Sequence, residues 1–244
     1  KLSQAILTGP RLDGNRVSVH PNLMGEFEAD ARYLEADSWS LTVDKKTLKH
    51  LKKDVVKRQD VIYELIQTEL HHVRTLRIMG EVYSKGLQRE LQLEPATLQK
   101  LFPVLDELLD LHSRFLSSLA RRTCGFLVQK IGDTLISQVG LRSRLSSVWF
   151  YGKFCSRHSD AVNLYKELHN KDKHFQAFIK KKMSSSIVRR LSIPECILLV
   201  TQRITKYPVL IQRILQLTKG KRGSLHHNCP LLYQKSRSIY CSIN

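Results

Sequence analysis

The chain has 244 residues, with 40 Lys and Arg against 22 Asp and Glu, a net charge of +18. A hydrophobic content of 42% supports one domain of ordinary size, yet no run of about 18 apolar residues exists to span a bilayer. Five scattered cysteines, Cys124, Cys155, Cys196, Cys229 and Cys241, are odd in number and form no Cys-x-x-Cys pair, which excludes a disulfide scaffold and points to free thiols in a reducing compartment.

Aromatic residues are few, at 7%, and period-two alternation is scarce, so an all-α fold is expected. The first residues, Lys1-Leu-Ser-Gln4, carry neither Met nor a signal-like apolar region, and read as a fragment or a processed start. Residues 1–36 hold no sustained period, and Gly9-Pro10, Asp13-Gly14-Asn15 and His20-Pro21-Asn22 are turn signals. This stretch reads as a flexible leader with a short helix over Phe27–Leu34. Trp39, Leu41 and Val43 precede a Lys-rich run, and Trp39 is expected to pack on the helical body.

Residues from about 51 to 84 read as one helix, roughly 50 Å long. Ile62, Leu65, Ile66, Val73 and Leu76 form its apolar side, and Asp60, Glu64, Thr68, His71 and Thr75 fall on another. Glu64 belongs to that polar stripe. Glu69 lies nearer the core stripe and needs a partner there. Gly86 is expected to close the segment. Pro95–Arg122 is a second helical region whose leucines cover more than half its circumference, with a kink at Pro103. A helix over Phe126–Val139 puts Leu127, Ile131, Leu135 and Val139 in register. Tyr151–Met183 reads as helical and ends in the basic cluster Lys180-Lys-Lys182. Ser184-Ser-Ser186 breaks it, and Val188-Arg-Arg-Leu191 leads onward.

The last helix is predicted over Pro194–Lys219. Pro194 suits a first turn because its missing N–H would be unpaired there anyway, and Glu195 complements the helix dipole. Ile197, Val200, Ile204, Ile211 and Leu215 form an apolar stripe, and Cys196 beside it reads as a small core residue. Gln202 and Lys206, four apart, share a polar face. Pro208 is expected to bend the helix near Tyr207. After Lys219 the chain is rich in turn signals and basic, without helical period, and reads as a disordered tail.

Thr201-Gln-Arg-Ile-Thr-Lys-Tyr-Pro-Val-Leu210 closely resembles the third conserved region of Dbl-homology domains, the catalytic modules of guanine-nucleotide exchange factors for Rho-type GTPases. Val61-Ile-Tyr-Glu-Leu-Ile-Gln-Thr-Glu-Leu-His-His-Val-Arg-Thr-Leu76 resembles the first conserved region, and Tyr151-Gly-Lys-Phe-Cys-Ser-Arg-His158 the second. The wording is nearest the RhoA-directed, Lbc-like branch, which includes microtubule-associated and kinase-anchoring exchange factors. The resemblance sets residues 37–219 as the domain, 1–36 as leader and 220–244 as a divergent tail. It implies an elongated bundle of long helices that performs no covalent chemistry. Such a module binds the nucleotide-free GTPase more tightly than the nucleotide-bound one, so that linkage loosens the nucleotide. No cofactor or metal is implied.

By this resemblance Glu64 accepts hydrogen bonds from switch I of a RhoA-like GTPase, and Gln202 and Lys206 meet the switch II side. Arg189 and Arg190 align with basic residues that read acids on the GTPase. The plainer readings are a solvated carboxylate, a surface polar pair and an interhelix salt bridge. Tyr207 and Leu210 read as packing.

Two stretches depart from the family. Residues 123–150 lack its Gly/Ser loop and acidic segment. The tail shows neither the further helix that completes the GTPase surface nor a pleckstrin-homology domain. An inactive or binding-only variant is therefore one alternative. The charge motivates another, a basic helical protein binding nucleic acid or anionic lipid. His71 and His72 point about 100° apart on a helix and share a metal poorly. His226, His227, Cys229 and Cys241 fit no common zinc spacing. With no aromatic-basic interleaving, specific nucleic-acid binding is not expected. An anionic membrane surface remains a second partner class, and the expected location is cytoplasmic, with cytoskeletal or membrane association.

Overall fold

A computed structural model describes residues 23, 25–27, 36–122, 126–139 and 141–218, the side chains of 136–148 excepted. Every regular element among the described residues is helical. A 3-10 turn at Trp39–Thr42 and a short helix α1 (Lys45–Lys49) lead into α2 (Lys53–Arg77), a 25-residue rod. The expected single helix over 51–84 changes character at residue 78. A π-helical segment, Ile78–Ser84, follows α2 and passes into α3 (Lys85–Glu90). The wider π turn keeps Ile78, Met79, Val82 and Tyr83 all buried. Gly86 does not end a helix. It lies inside α3, where an added Cβ would come within 2.8 Å of the Phe178 ring. Its role is close approach.

The expected Pro95–Arg122 helix is two helices, α4 (Pro95–Leu101) and α5 (Leu105–Arg122). Pro103 breaks the rod rather than kinking it, and Val104 takes φ 49° beside it. The next helix starts later than Phe126. Phe126 is 53% exposed in a non-helical approach, and α6 covers Gly132–Val139. The 31-residue α7 (Leu141–Lys171) includes the segment whose pattern differs from the family, and is about 46 Å long. Asp172 then separates it from α8 (Lys173–Met183), accepting hydrogen bonds from the His174 and Phe175 amides at 2.7 and 3.2 Å. Lys182 leaves the expected basic cluster: it is buried and bonds Glu90 at 2.5 Å.

The last helix, α9, runs over Ile193–Gln216 and passes through Pro208 without interruption. Ser192 and Glu195 form a reciprocal capping box at its start. Cys196 is fully buried, and burial pushes its thiol up to about 12. Parts of the leader are anchored. Leu23 and Phe27 are buried, the Arg74 guanidinium lies 4.5 Å from the Phe27 ring centre, and Glu26 pairs with Arg77 at 2.7 Å. Trp39 packs against Phe126 at 5.7 Å, and the Ser40 amide donates to Asp60 at 2.8 Å. The rest of the short helix expected in the leader (residues 28–34), Cys124 and everything after Thr218, including the tail histidines and cysteines, lie outside the described residues.

Helices α2 and α9 run antiparallel: Glu64 meets Arg213, while Arg74 reaches back to the Ile187 carbonyl. Among the described residues the core forms two apolar clusters. One joins the N-terminal half of α2 to the C-terminal half of α9 through Ile62, Leu65, Leu119, Ile211 and Ile214. The other gathers the far end of α2, α4, α7, α8 and the start of α9 around Leu76, Tyr83, Phe154, Phe175 and Val200.

Candidate functional site

On α9, Gln202, Lys206 and Arg213 fall within about 40° of one another at 100° per residue. All three are exposed. Val209, 55% exposed, joins them, with Leu198 and Leu199 at 54% and 41% toward the helix start. The opposite side of α9, from Ile197 to Ile214, is buried. α9 thus has one face in the core and, among the described residues, a mixed apolar and charged face open to solvent.

Glu64 joins that face from α2. Its Oε2 accepts from the Arg213 guanidinium at 2.9 Å, with both side chains about half exposed. Arg213 lies seven residues beyond Lys206, about 10 Å along the axis. Glu64 therefore sits at the C-terminal end of the Gln202–Lys206 stripe, on the same side of the molecule. His71, two turns from Glu64 on the same stripe of α2, is exposed as well. Burial of part of its ring, with Arg74 and Arg189 nearby, lowers its basicity. Arg74 Nη2 donates to the Ile187 carbonyl at 3.3 Å, which seats the turn carrying Arg189 at this end of α2. Thr75, expected on this polar stripe, is buried instead and donates to the His71 carbonyl at 3.0 Å.

Arg189 and Arg190 are both exposed, and no ion pair engages either among the described residues, so the interhelix salt bridge is not formed. Both take left-handed backbone, at φ 52° and 65°. Two consecutive non-glycine residues there store roughly 1–2 kcal/mol each. The turn is held by hydrogen bonds from the Arg189 amide to the Ser185 carbonyl and from the Leu191 amide to the Val188 carbonyl.

Directly beneath the face lies a buried polar network that sequence reasoning identified only in part. Glu69, fully buried, receives Arg203 Nη2 and Nε at 2.6 and 3.2 Å, Tyr207 Oη at 2.6 Å and His112 Nδ1 at 2.7 Å. Burial alone would push the Glu69 carboxyl up, but His112 and Arg203 outweigh it and hold it well below the ordinary carboxylate range. The Tyr151 hydroxyl lies 2.7 Å from His112 Nε2 and 3.2 Å from His72 Nε2. It has one proton to give, so one ring accepts from it and the other donates to it. Burial, with His112 adjacent, holds the His72 imidazole well below its usual basicity.

This network spans α2, α5, α7 and α9 at the level where the two apolar clusters meet. A slide of α9 by one turn would leave Arg203 and Tyr207 without Glu69. The network also reaches the surface: Arg203 Nη1 donates to Thr68 Oγ1 at 2.9 Å, and Thr68 donates to the Glu64 carbonyl at 2.7 Å. Arg203 and Tyr207 immediately follow Gln202 and Lys206 in sequence. Fixing them fixes the rotation of α9 and the direction in which the exposed pair points. The signal for half of this was present, since Arg203 falls on the apolar stripe of α9 as Glu69 does on that of α2. Arg213 as the partner of Glu64 carried no sequence signal.

The RhoGEF domain family matches residues 61–244. Rho guanine nucleotide exchange factor 2 of Rattus norvegicus is 54% identical over 207 residues, covering 81% of this chain and 21% of the relative. Rho guanine nucleotide exchange factor 28 of Homo sapiens is 50% identical over 211 residues, covering 83% of this chain and 12% of the relative. The chain thus spans about a fifth or less of the length of these relatives. Among solved structures, the DH/PH domains of p115-RhoGEF superpose with a TM-score of 0.78 at 35% identity, covering 85% of this chain and 56% of that one. The DH/PH fragment of PDZRHOGEF in complex with human RhoA gives 0.79 at 30% identity, covering 85% and 58%.

Proposed function

The chain belongs to the RhoGEF domain family, and from that premise we propose that it promotes GDP release from a RhoA-like GTPase by stabilising the nucleotide-free state. The observation that carries this reading is the convergence of Glu64 with the Gln202–Lys206 stripe on one exposed groove between α2 and α9. Glu64 takes switch I as hydrogen-bond acceptor, and its resting partner Arg213 gives way as the GTPase docks. Gln202 and Lys206 engage the switch II side, one through an amide and one through a point charge. Leu198, Leu199 and Val209 supply the apolar area that such an interface needs at its centre. Arg189 and Arg190, strained and unpaired by any ion, read acidic residues of the GTPase and set which member is accepted.

Catalysis here is a difference in affinity between two states of the partner and involves no bond making on this chain. A cytoplasmic location fits this role. No helix among the described residues is long and apolar enough to cross a membrane. The test is release of a fluorescent GDP analogue from RhoA, Rac and Cdc42. Acceleration on RhoA above the other two is expected. A folded protein that accelerates none of them removes the activity, and retained binding to nucleotide-free RhoA would then mark a binding-only domain.

A further inference from the structure

The turn before α9 carries a pattern that the exchange reaction does not use. Arg189 and Arg190 stand three and two residues before Ser192, and the large apolar Ile193 follows it. No other serine or threonine of the chain has arginine at both positions. This spacing is the charge pattern read by protein kinases whose peptide grooves are lined with carboxylates. Both arginines are exposed, and no ion pair engages either among the described residues.

Ser192 is the half-buried N-cap of α9. Its Oγ accepts from the Glu195 amide at 3.4 Å, a long bond, and its own amide donates to Glu195 Oε2 at 2.6 Å. Val188 and Ile193 anchor the two ends of the stretch in the core, and the Tyr83 hydroxyl donates to the Leu191 carbonyl at 2.5 Å. A kinase groove takes its substrate extended, so the turn and the first residues of α9 must open to enter one. Helix ends fray readily, and opening relieves the left-handed backbone at residues 189 and 190.

We propose that Ser192 is a phosphorylation site for a kinase directed by basic residues, and that its phosphate draws Arg189 and Arg190 away from the GTPase. Ser192 Oγ attacks the γ-phosphorus of ATP held by the kinase. The bond to the β-phosphate oxygen breaks, ADP leaves, and the hydroxyl proton passes to a carboxylate of the kinase. The product carries nearly two negative charges at the positive end of α9, with two guanidiniums two and three residues away along the chain. Glu195 opposes it from the same turn, but one carboxylate is outweighed by two guanidiniums and the helix dipole. Arg189 and Arg190 are the side chains assigned to the acids of the GTPase. The effect on exchange therefore rests on that reading, whereas the modification itself does not.

The test is incubation of the full, folded chain with the catalytic subunit of cyclic-AMP-dependent protein kinase and Mg·ATP, followed by peptide mapping. Phosphate should appear on Ser192. R189Q/R190Q should slow its entry by about tenfold or more, the worth of one charge-assisted hydrogen bond. S192N keeps a capping side chain, so it should melt and exchange like the parent while taking no phosphate at that position. In the phosphorylated chain, phosphorus NMR should show the phosphate titrating below its ordinary pKa of about 6. Affinity for nucleotide-free RhoA should fall by about tenfold. Phosphate that enters only the urea-unfolded chain, or only other residues, overturns the proposal. So does a phosphate that titrates at or above about 6, or one that leaves an existing affinity for RhoA unchanged. A chain that takes the phosphate, lowers its pKa and binds RhoA in neither form supports the site and refutes the exchange reading instead.

Discussion

Glu64 and Glu69 lie five residues apart on one helix, and their substitution by glutamine should have opposite consequences. In Glu69→Gln the shape is kept and the charge removed. Four donor contacts from Arg203, Tyr207 and His112 then converge on a group that itself carries N–H donors. Arg203, 6% exposed, loses its counter-charge. Breaking a buried pair on one side costs about 3–5 kcal/mol. For a chain of this length that lowers Tm by roughly 6–20 °C. In Glu64→Gln only a half-exposed contact to Arg213 is lost, worth at most about 1 kcal/mol. Thermal melts followed by circular dichroism separate the two, and nucleotide release measures the converse: Glu64→Gln should melt like the parent and be deficient in exchange. The pairing is checked by adding Arg203→Met to Glu69→Gln. The double variant should be less destabilised than the sum of the singles. A Glu69→Gln protein melting within about 2 °C of the parent would refute the reasoning.

Gly86→Ala should destabilise by about 1–3 kcal/mol, read from urea midpoints, because the new methyl meets Phe178 inside a packed helix pair. Arg189→Gly and Arg190→Gly should each raise stability by about 1 kcal/mol through relief of left-handed strain, while narrowing the preference for RhoA over Rac in exchange. Stability should fall as pH drops below about 6.5. His72 is held neutral by burial, so the unfolded chain takes up a proton there that the folded chain refuses. The slope reaches about 1.4 kcal/mol per pH unit for this group, and His71, lowered in the same direction, adds to it. Melting curves from about pH 7.5 to 5.5 should show this decline, and His72→Gln should flatten it.

Much of the bundle was legible because its helices are amphipathic over long spans. The stripes on α2 and α9 follow from their periodicity, and a carboxylate at position 69, on the apolar side, requires a partner. The breaks were less legible. Pro103 and Pro208 carry the same local signal, yet one ends a helix and the other sits inside one. The difference is tertiary: α9 is packed along its length on α2, whereas the chain at Pro103 passes between α4 and α5, where Val104 turns left-handed. Gly86 signals a helix end because glycine at that spacing is usually one, and only the arrival of Phe178 from α8 shows why the side chain is absent. The His112–Tyr151–His72 relay joins three helices far apart in sequence, and no single stretch records it.

The central claim is that the groove between α2 and α9 distinguishes two states of one GTPase. The most direct measurement is the affinity of this chain for RhoA with its nucleotide removed and with GDP bound, by titration calorimetry, for the parent and for Glu64→Gln. Linkage requires much tighter binding to the nucleotide-free form, and the substitution should erase most of that preference. Equal affinity for both forms, or a preference that survives without the Glu64 carboxylate, would contradict the account.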